Sequence, residues 1–459
     1  MPRTSQWRRT AWFALALGVA GALSIQSAPR AETVQDSASA KALLGDVLEY
    51  IETSITSTDE DLTLKLADEP SAQPSGNSVE LIFPAPSILN RNGGGFHLGN
   101  VTAKVTPQEK DQFQFSIGLP NSMTISDAGD VTEGEVSWGA RDLHGIWRAD
   151  LETATEIHGA LKNLLFTDIK QGQKHFIGKI DSFAVDQEFA ESANGWWSGP
   201  FVYDVANLEI APASKEERVS IGRVSMSGKL QDFDFAAWQA LSEWGNSLSI
   251  TVDGRLPISL GDSRAATRIF EAMNLGAGNM GVSISNLSYG PPGRQEFKMG
   301  GLNLNMSYDN DARPGAYSFN VDWQGLEQTD SDVPPAFFTH TGALKMHLEQ
   351  FPLRQILTSV LRESENFGPA VDSIGFPIAA PLQLVVLPLI NANQTRLRLE
   401  KLTLRSSTAV LAASGKLSAE NDSALGAVGD ARLELAGLDR LIAVAARQAL
   451  SGEDARELL

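Results

Sequence analysis

Cysteine is absent from all 459 residues. That single absence removes disulfides, a lipidated N-terminal cysteine, thiol catalysis and thiolate metal sites. A chain of this length can dispense with disulfides because it can bury large cores. Positive charge is also scarce, with 37 Lys and Arg against 56 Asp and Glu and a net charge of −19. Such a surface repels nucleic acid and anionic head groups, so nucleic-acid partners are excluded and any membrane contact has to be apolar. Neither a Gly-x-Ser-x-Gly elbow nor a Ser-x-x-Lys motif occurs, which leaves the common serine nucleophiles without their local geometry.

What is present begins with an export signal over residues 1–31. Arg3, Arg8 and Arg9 form a positive n-region, and Ala11 to Ile25 form an uncharged run of fifteen residues. That run suits an h-region and falls short of the about 20 apolar residues of a spanning helix. Cleavage is expected after Ala31; Pro29 at the minus-three position leaves an uncleaved inner-membrane anchor as the alternative. The paired Arg8 and Arg9 lack a twin-arginine context, so general secretion is expected. The signal holds four basic and no acidic residues, so the mature chain carries 33 Lys and Arg against 56 acids, or −23. A Gram-negative periplasm is the expected compartment.

Hydrophobic periodicity alternates between two values along the chain. Ala40, Leu43, Leu44, Val47, Leu48, Ile51 and Ile55 repeat at helical spacing, which predicts an amphipathic helix over Asp36 to Ser57. After a loop at Glu69 to Ser78, two-residue alternation dominates, as in "DQFQFSIGL", "HFIGKIDSFAV", "GGLNLNMSYD", "YSFNVDWQGL" and "TRLRLEKLTL". Alternation implies one wetted and one buried face, the pattern of antiparallel sheet. Helices enter at a recurring switch: a strand, an apolar residue, then Asp or Pro. The switches are Phe233-Asp234, Phe351-Pro352 and Leu438-Asp439, where Asp suits an N-cap and Pro the first helical turn. "IWRADLETATEIHGAL" and "ISLGDSRAATRIFEAM" read as looser versions. The switches lie 118 and 87 residues apart, so the chain repeats a building style and not a fixed period. "SGKL" at Ser414 also echoes "SGKL" at Ser227.

The strands "LRLEKLTLRSSTAVLAASGKL" followed by "GDARLELAGLDRLIAVA" resemble AsmA-like and YdgA-like bacterial envelope proteins, and related alphaproteobacterial proteins of unknown function. "NGWWSGPFVYDVANLEI" is similar to the Trp-Gly strand-pair openings of the YdgA-like group. The likeness covers about half the chain and is one of style. It implies an elongated or curved β-rich fold in the envelope and, for the AsmA-like members, an apolar groove that carries lipid. It brings no catalytic residues. The chain departs from the pattern by stopping at Leu459 in a helical pattern, where a closing strand is expected.

Several constellations read as structure. "GAGNMG" (Gly276–Gly281) spells the dinucleotide fingerprint, but a helical pattern precedes it and a strand follows. The fingerprint needs the reverse order, so these glycines close a helix. The six histidines show no HxH or HxxxH spacing; ligands assembled from distant positions stay open. His340 and His347 are expected on opposite sides of a strand. The acidic stretches Ser126–Glu135 and Tyr308–Gly315 lack an ordered calcium-ligand set and read as solvated turns. Paired carboxylates of a glycosidase would leave no local signature, so a hydrolase stays as a remote alternative.

Two features point to contact surfaces. Phe376–Ile390, "FPIAAPLQLVVLPLI", has Gln383 as its only polar side chain, and Pro377, Pro381 and Pro388 argue against a regular helix. It reads as a core strand, or as an exposed apolar lip that puts Phe376, Leu384, Val385, Val386, Leu387 and Leu389 against a ligand or partner. The second is the crowding of Trp196, Trp197, Phe201 and Tyr203. Adjacent tryptophans on a strand point to opposite faces, which offers one of them to a partner unless both faces are covered.

The expected fold is α+β and predominantly β: twisted or curved antiparallel sheets capped by short helices. The expected domains are 32–215 and 216–459, parted at the charged "ASKEER". The expected function is a non-enzymatic envelope protein, without cofactor or metal, that binds lipid or another apolar ligand. The alternative is an assembly factor that contacts an envelope protein. A continuous apolar trough along one sheet favours the first.

Overall fold

The computed structural model describes residues 37–58, 61–108, 111–129, 131–151, 153–211, 217–247, 267–271, 273–274, 276–291, 295–310, 314–329, 338–366, 386–420, 422–423 and 426–449. The signal segment and residues 212–216 lie outside them. The fold is α+β and predominantly β, built from antiparallel sheet with few short helices. Among the described residues no helix is long and apolar enough to cross a membrane. The chain divides into two units, residues 1–189 with 201–223 and residues 190–200 with 224–459.

Unit 1 opens with helix α1 (Ser37–Thr58), within a residue of the expected span. Short strands follow: β1 (Leu62–Lys65), β2 (Ser71–Ser75), β3 (Ser78–Phe83), β4 (Ser87–Asn90) and β5 (Gly95–Leu98). Next come β6 (Val101–Pro107), β7 (Gln112–Gly118), β8 (Ser122–Ser126) and β9 (Thr132–Ser137). The long strands are β10 (Ala140–Arg148), β11 (Thr153–Lys170) and β12 (Gln173–Glu188). "IWRADLETATEIHGAL", expected to be helical, is instead the end of β10, a turn and the start of β11.

Pairing gives the order β2-β3-β6-β7-β10-β11-β12. One row across it reads Val79, Val105, Phe115, Gly145, Ile157 and Gln187. These positions face a core closed by Ala40, Leu43, Leu44 and Val47 of α1. Leu43 is 2 % exposed and Trp147 1 %. A second set, β1-β4-β5-β8-β9, joins the C-terminal half of β11. It covers a smaller core of Met123, Val136, Trp138 and Leu164. Strand β11 serves both sets because it is long: residues 153–162 pair with β10 and residues 165–168 with β9, and Asn163, φ 55°, lies between the two pairings.

Strands β13 (Ala190–Glu191), β14 (Trp197–Ile210) and β15 (Arg218–Phe233) follow, and the division between units falls within β14 and β15. Unit 2 then holds α2 (Phe235–Ser247), a helical segment at residues 267–271, β16 (Ala277–Gly290), β17 (Phe297–Asp309), β18 (Gly315–Gln324) and β19 (Glu327–Gln328). It continues with β20 (Thr341–Phe351), α3 (Leu353–Asn366), α4 (Leu387–Ala392), β21 (Arg396–Arg405), β22 (Val410–Ala419), β23 (Ala427–Ala436) and α5 (Leu438–Ala449). All three expected strand-to-helix switches are present. The Asp234 carboxylate accepts the Ala237 N–H at 2.9 Å and caps α2. Asp439 departs from the expected capping place: it lies inside the first turn of α5, where a carboxylate meets the positive end of the helix. Gly276, φ 59°, follows the helical segment and precedes β16, so "GAGNMG" sits between helix and strand in the order opposite to a nucleotide loop.

Candidate ligand-binding face

Seven strands of unit 2 pair in chain order, β16-β17-β18-β20-β21-β22-β23. Their registers bring apolar residues into line. One row crosses the sheet through Met280, Met306, Phe319, Met346 and Leu399, and ends at Gly415 and Ala431. The next passes Val282, Leu304, Val321, Leu344, Leu402 and Ala413 to Leu433. A third passes Ile284, Leu302, Trp323 and Gly342, then Leu404, Leu411 and Leu435. On the far side of the methionine row lie Gly278, Tyr308, Tyr317, Leu348, Leu397, Leu417 and Gly429. Four rows of seven positions thus hold no charged side chain, amide or histidine. A bulge at Glu400 and Lys401 of β21 matters here, because it resets alternation so that Leu397, Leu399, Leu402 and Leu404 share this face.

The opposite face is polar. Asn305, Asn320 and Lys345 share a row there, and Ser307 and Ser318 hydrogen-bond at 2.6 Å. Glu400 accepts from Lys345 at 2.8 Å and pairs with His347 at 2.7 Å. Hydrogen bonds from Lys345 and then His347 hold the Glu400 carboxyl below its ordinary value.

The apolar face is not a filled core. Met280, Met306 and Phe319 are 37 to 43 % exposed, and Leu433 reaches 69 %. The buried apolar side chains of unit 2 among the described residues are Trp197, Met273, Pro352 and Ile356, none of them on this face. At a strand spacing of about 4.8 Å and a two-residue repeat of about 6.8 Å, the rows span about 29 by 20 Å. That is a footprint of about 600 Å², only part of it open to water, against the about 300–600 Å² of the largest apolar patch on a typical monomer, which is often functional. Two hydroxyls border it. Burial raises the pKa of Tyr308; burial and then the charge of Asp309 push Tyr317 up to about 12. Tyr317 donates to Asn310 Oδ1 and meets Phe351 edge-on at 5.8 Å.

The residues singled out from sequence fall elsewhere. Phe376, Leu384 and Val385 lie outside the described residues. Val386 is half-buried, Leu387 is 49 % exposed and Leu389 is half-buried. The core-strand reading of this run is corrected over its last residues, because Leu387–Ala392 is helix α4. Pro388 sits within its first turn, where a missing N–H costs no intrahelical hydrogen bond. Trp197 is 3 % exposed and packs edge-on against Phe235 at 6.2 Å, so its ring fills space instead of offering an open surface. Trp196 is half-buried. Phe201 and Tyr203 meet at a tilt with ring centroids 6.0 Å apart in unit 1, and the Tyr203 hydroxyl donates to Gln187 Oε1 at 3.0 Å. The four aromatics therefore do not form one site. His340 lies just before β20 and contacts the Leu326 carbonyl at 2.9 Å through Nδ1. The acidic turn at Asp127 closes on itself, its carboxylate accepting the Gly129 and Val131 N–H groups at 2.8 and 3.0 Å.

No protein-family model, no curated protein and no solved structure matches the chain.

Proposed function

We propose that this chain is a non-catalytic, exported cell-envelope protein that binds the acyl chains of lipid on the apolar sheet face of unit 2. The observation that carries this reading is the half-exposed field of Met, Leu, Val, Ile and Phe side chains, four rows deep and seven strands wide. A field whose only hydrogen-bonding groups are the hydroxyls of Tyr308 and Tyr317 at one border and the Trp323 indole offers an acyl chain burial and a polar ligand little. The two bordering tyrosines stay neutral throughout the physiological range. The resemblance to AsmA-like proteins points the same way.

Native mass spectrometry of the chain from Glu32, purified from its own envelope, tests this directly. A stoichiometric adduct extractable into organic solvent is expected. Val321→Asp at the centre of the face should abolish it while circular dichroism stays unchanged. A bare polypeptide mass, under conditions that preserve the ligand of a control lipid carrier, would overturn the proposal.

A second reading has its own support. Strand β23 is exposed along nearly its whole length, and Leu433 and Leu435 sit on it. Such an edge invites a strand from another protein. Cross-linking from a photoreactive residue at Leu433 in the envelope should then trap a polypeptide; exclusive labelling of lipid excludes this reading.

A further inference from the structure

The sheet of unit 1 carries a second chemistry on the face turned away from its core. Across β11 and β12, His158 stands opposite Asp186 and Glu156 opposite Glu188. Across β10 and β11, His144 stands opposite His158. His158 Nδ1 lies 2.7 Å from Asp186 Oδ1, and its Nε2 lies 3.1 Å from Glu156 Oε1 and 3.7 Å from Glu188 Oε1. The His144 ring lies 5.5 Å from that of His158, and its Nδ1 is 3.2 Å from Asp142 Oδ1.

We propose that His158, Asp186 and Glu188 bind a divalent transition-metal ion of the zinc class. Donor atoms of these three residues all lie within 4.8 Å of one another. A tetrahedral shell with bonds of about 2.1 Å separates its donors by about 3.4 Å, which lies between the 2.7 Å of His158 Nδ1 to Asp186 Oδ1 and the 4.8 Å that bounds the set. Four carboxylates surround two imidazoles, and among the described residues no Lys or Arg makes an ion pair with Asp142, Glu156, Asp186 or Glu188. This is not an acidic patch alone, because imidazole nitrogen stands at its centre and a second imidazole beside it.

The donor set selects the metal class. Mixed imidazole and carboxylate ligands suit zinc and its neighbours, whereas calcium and magnesium prefer oxygen alone. With the ion on Nδ1, beside Asp186, the other ring nitrogen keeps a carboxylate outside the ligand set within hydrogen-bond reach, Glu156 Oε1 at 3.1 Å from Nε2. That arrangement orients an imidazole ligand. The strands beneath are held by the core on their other face, where Ile157 and Val185 are buried. Gln187 donates to the Ala154 carbonyl at 2.8 Å and ties β12 to β11 beside the cluster. Three protein ligands leave one coordination position for water or for His144.

Isothermal titration of the metal-stripped chain with Zn²⁺ alone, followed by Mn²⁺ and Ca²⁺, tests the site. One saturable Zn²⁺ per chain is expected, with weaker Ca²⁺ binding. His158→Gln and Glu188→Gln should each weaken Zn²⁺ by at least about tenfold. Both positions lie on a wetted face, so circular dichroism should be unchanged. His347→Gln removes a different histidine-carboxylate pair and should leave Zn²⁺ binding intact. Absence of saturable binding, equal affinity in His158→Gln, or Ca²⁺ binding as tight as Zn²⁺ would each overturn the proposal.

Discussion

At the strand-to-helix switches, a residue in the left-handed region precedes each apolar residue: Asp232 before Phe233, Gln350 before Phe351 and Gly437 before Leu438, with φ of 52°, 56° and 80°. The switch thus has three parts, a backbone reversal, an apolar anchor and a helix-starting residue. Only the last two are legible in sequence. The reversal falls on Asp, Gln and Gly, three side chains with no shared chemistry, because what repeats is a torsion and not a residue type. Asp234→Ala removes the cap of α2 and should cost about 1 kcal/mol in chemical denaturation. Gly145 makes a sharper case. A Cβ there would lie 2.0 Å from the Glu156 carbonyl oxygen and 3.0 Å from the end of the Phe115 ring. Gly145→Ala should therefore destabilise unit 1 by about 1–3 kcal/mol; an unchanged denaturation midpoint would show that the close strand approach is not maintained. Tyr317 has a pH consequence. Its folded pKa lies above the ordinary value of about 10, so its contribution to stability is complete below that pH and is lost as pH rises through about 12. Ultraviolet titration should show a late tyrosinate step that Tyr317→Phe removes.

At the scale of elements, alternation located most strands correctly because each has one wetted face. It failed at Ile146 to Leu161. There Leu151, Ala154 and Ile157 mimic helical spacing, yet two strands meet across a turn. The true signal is that both are pinned by neighbours distant in sequence, β7 on one side and β12 on the other. Alternation also cannot show where a strand changes partners, as β11 does at Asn163. Helix α1 was legible because its stripe is long and meets a filled core. Leu43→Ala, at a position 2 % exposed, should cost about 2–5 kcal/mol. A loss below 1 kcal/mol would mean that α1 does not close this core in solution.

The whole molecule combines a unit with two filled cores and a unit whose main sheet carries apolar residues only partly withdrawn from water. Every strand of that sheet was visible as alternation, but its apolar face was not. The face exists only once seven registers are added together, and the bulge at Glu400 and Lys401 of β21 that completes it has no sequence marker. The sequence drew attention to Phe376–Ile390 because apolar residues there are consecutive. In the sheet they are dispersed at every second position and become dense only across strands. The metal cluster was hidden likewise, since Asp186 and Glu188 reach His158 through pairing and not through spacing. Hydrogen exchange should place the slowest amides in β3, β7, β10 and β11, over the filled core, and faster ones in β21 to β23. Equal protection in both units would mean that the apolar face is covered in solution.

Chain order and spatial order coincide in β16 to β23, apart from the short β19 beside β17. Each new strand docks on its predecessor, so the registers already set do not depend on the strands still to come. Such a sheet behaves as a ruler: gaining or losing one hairpin would change its width by about 10 Å and leave the remaining rows aligned. The width of the apolar face can thus evolve by duplication or deletion of hairpins, and with it, under the proposed function, the length of acyl chain it covers.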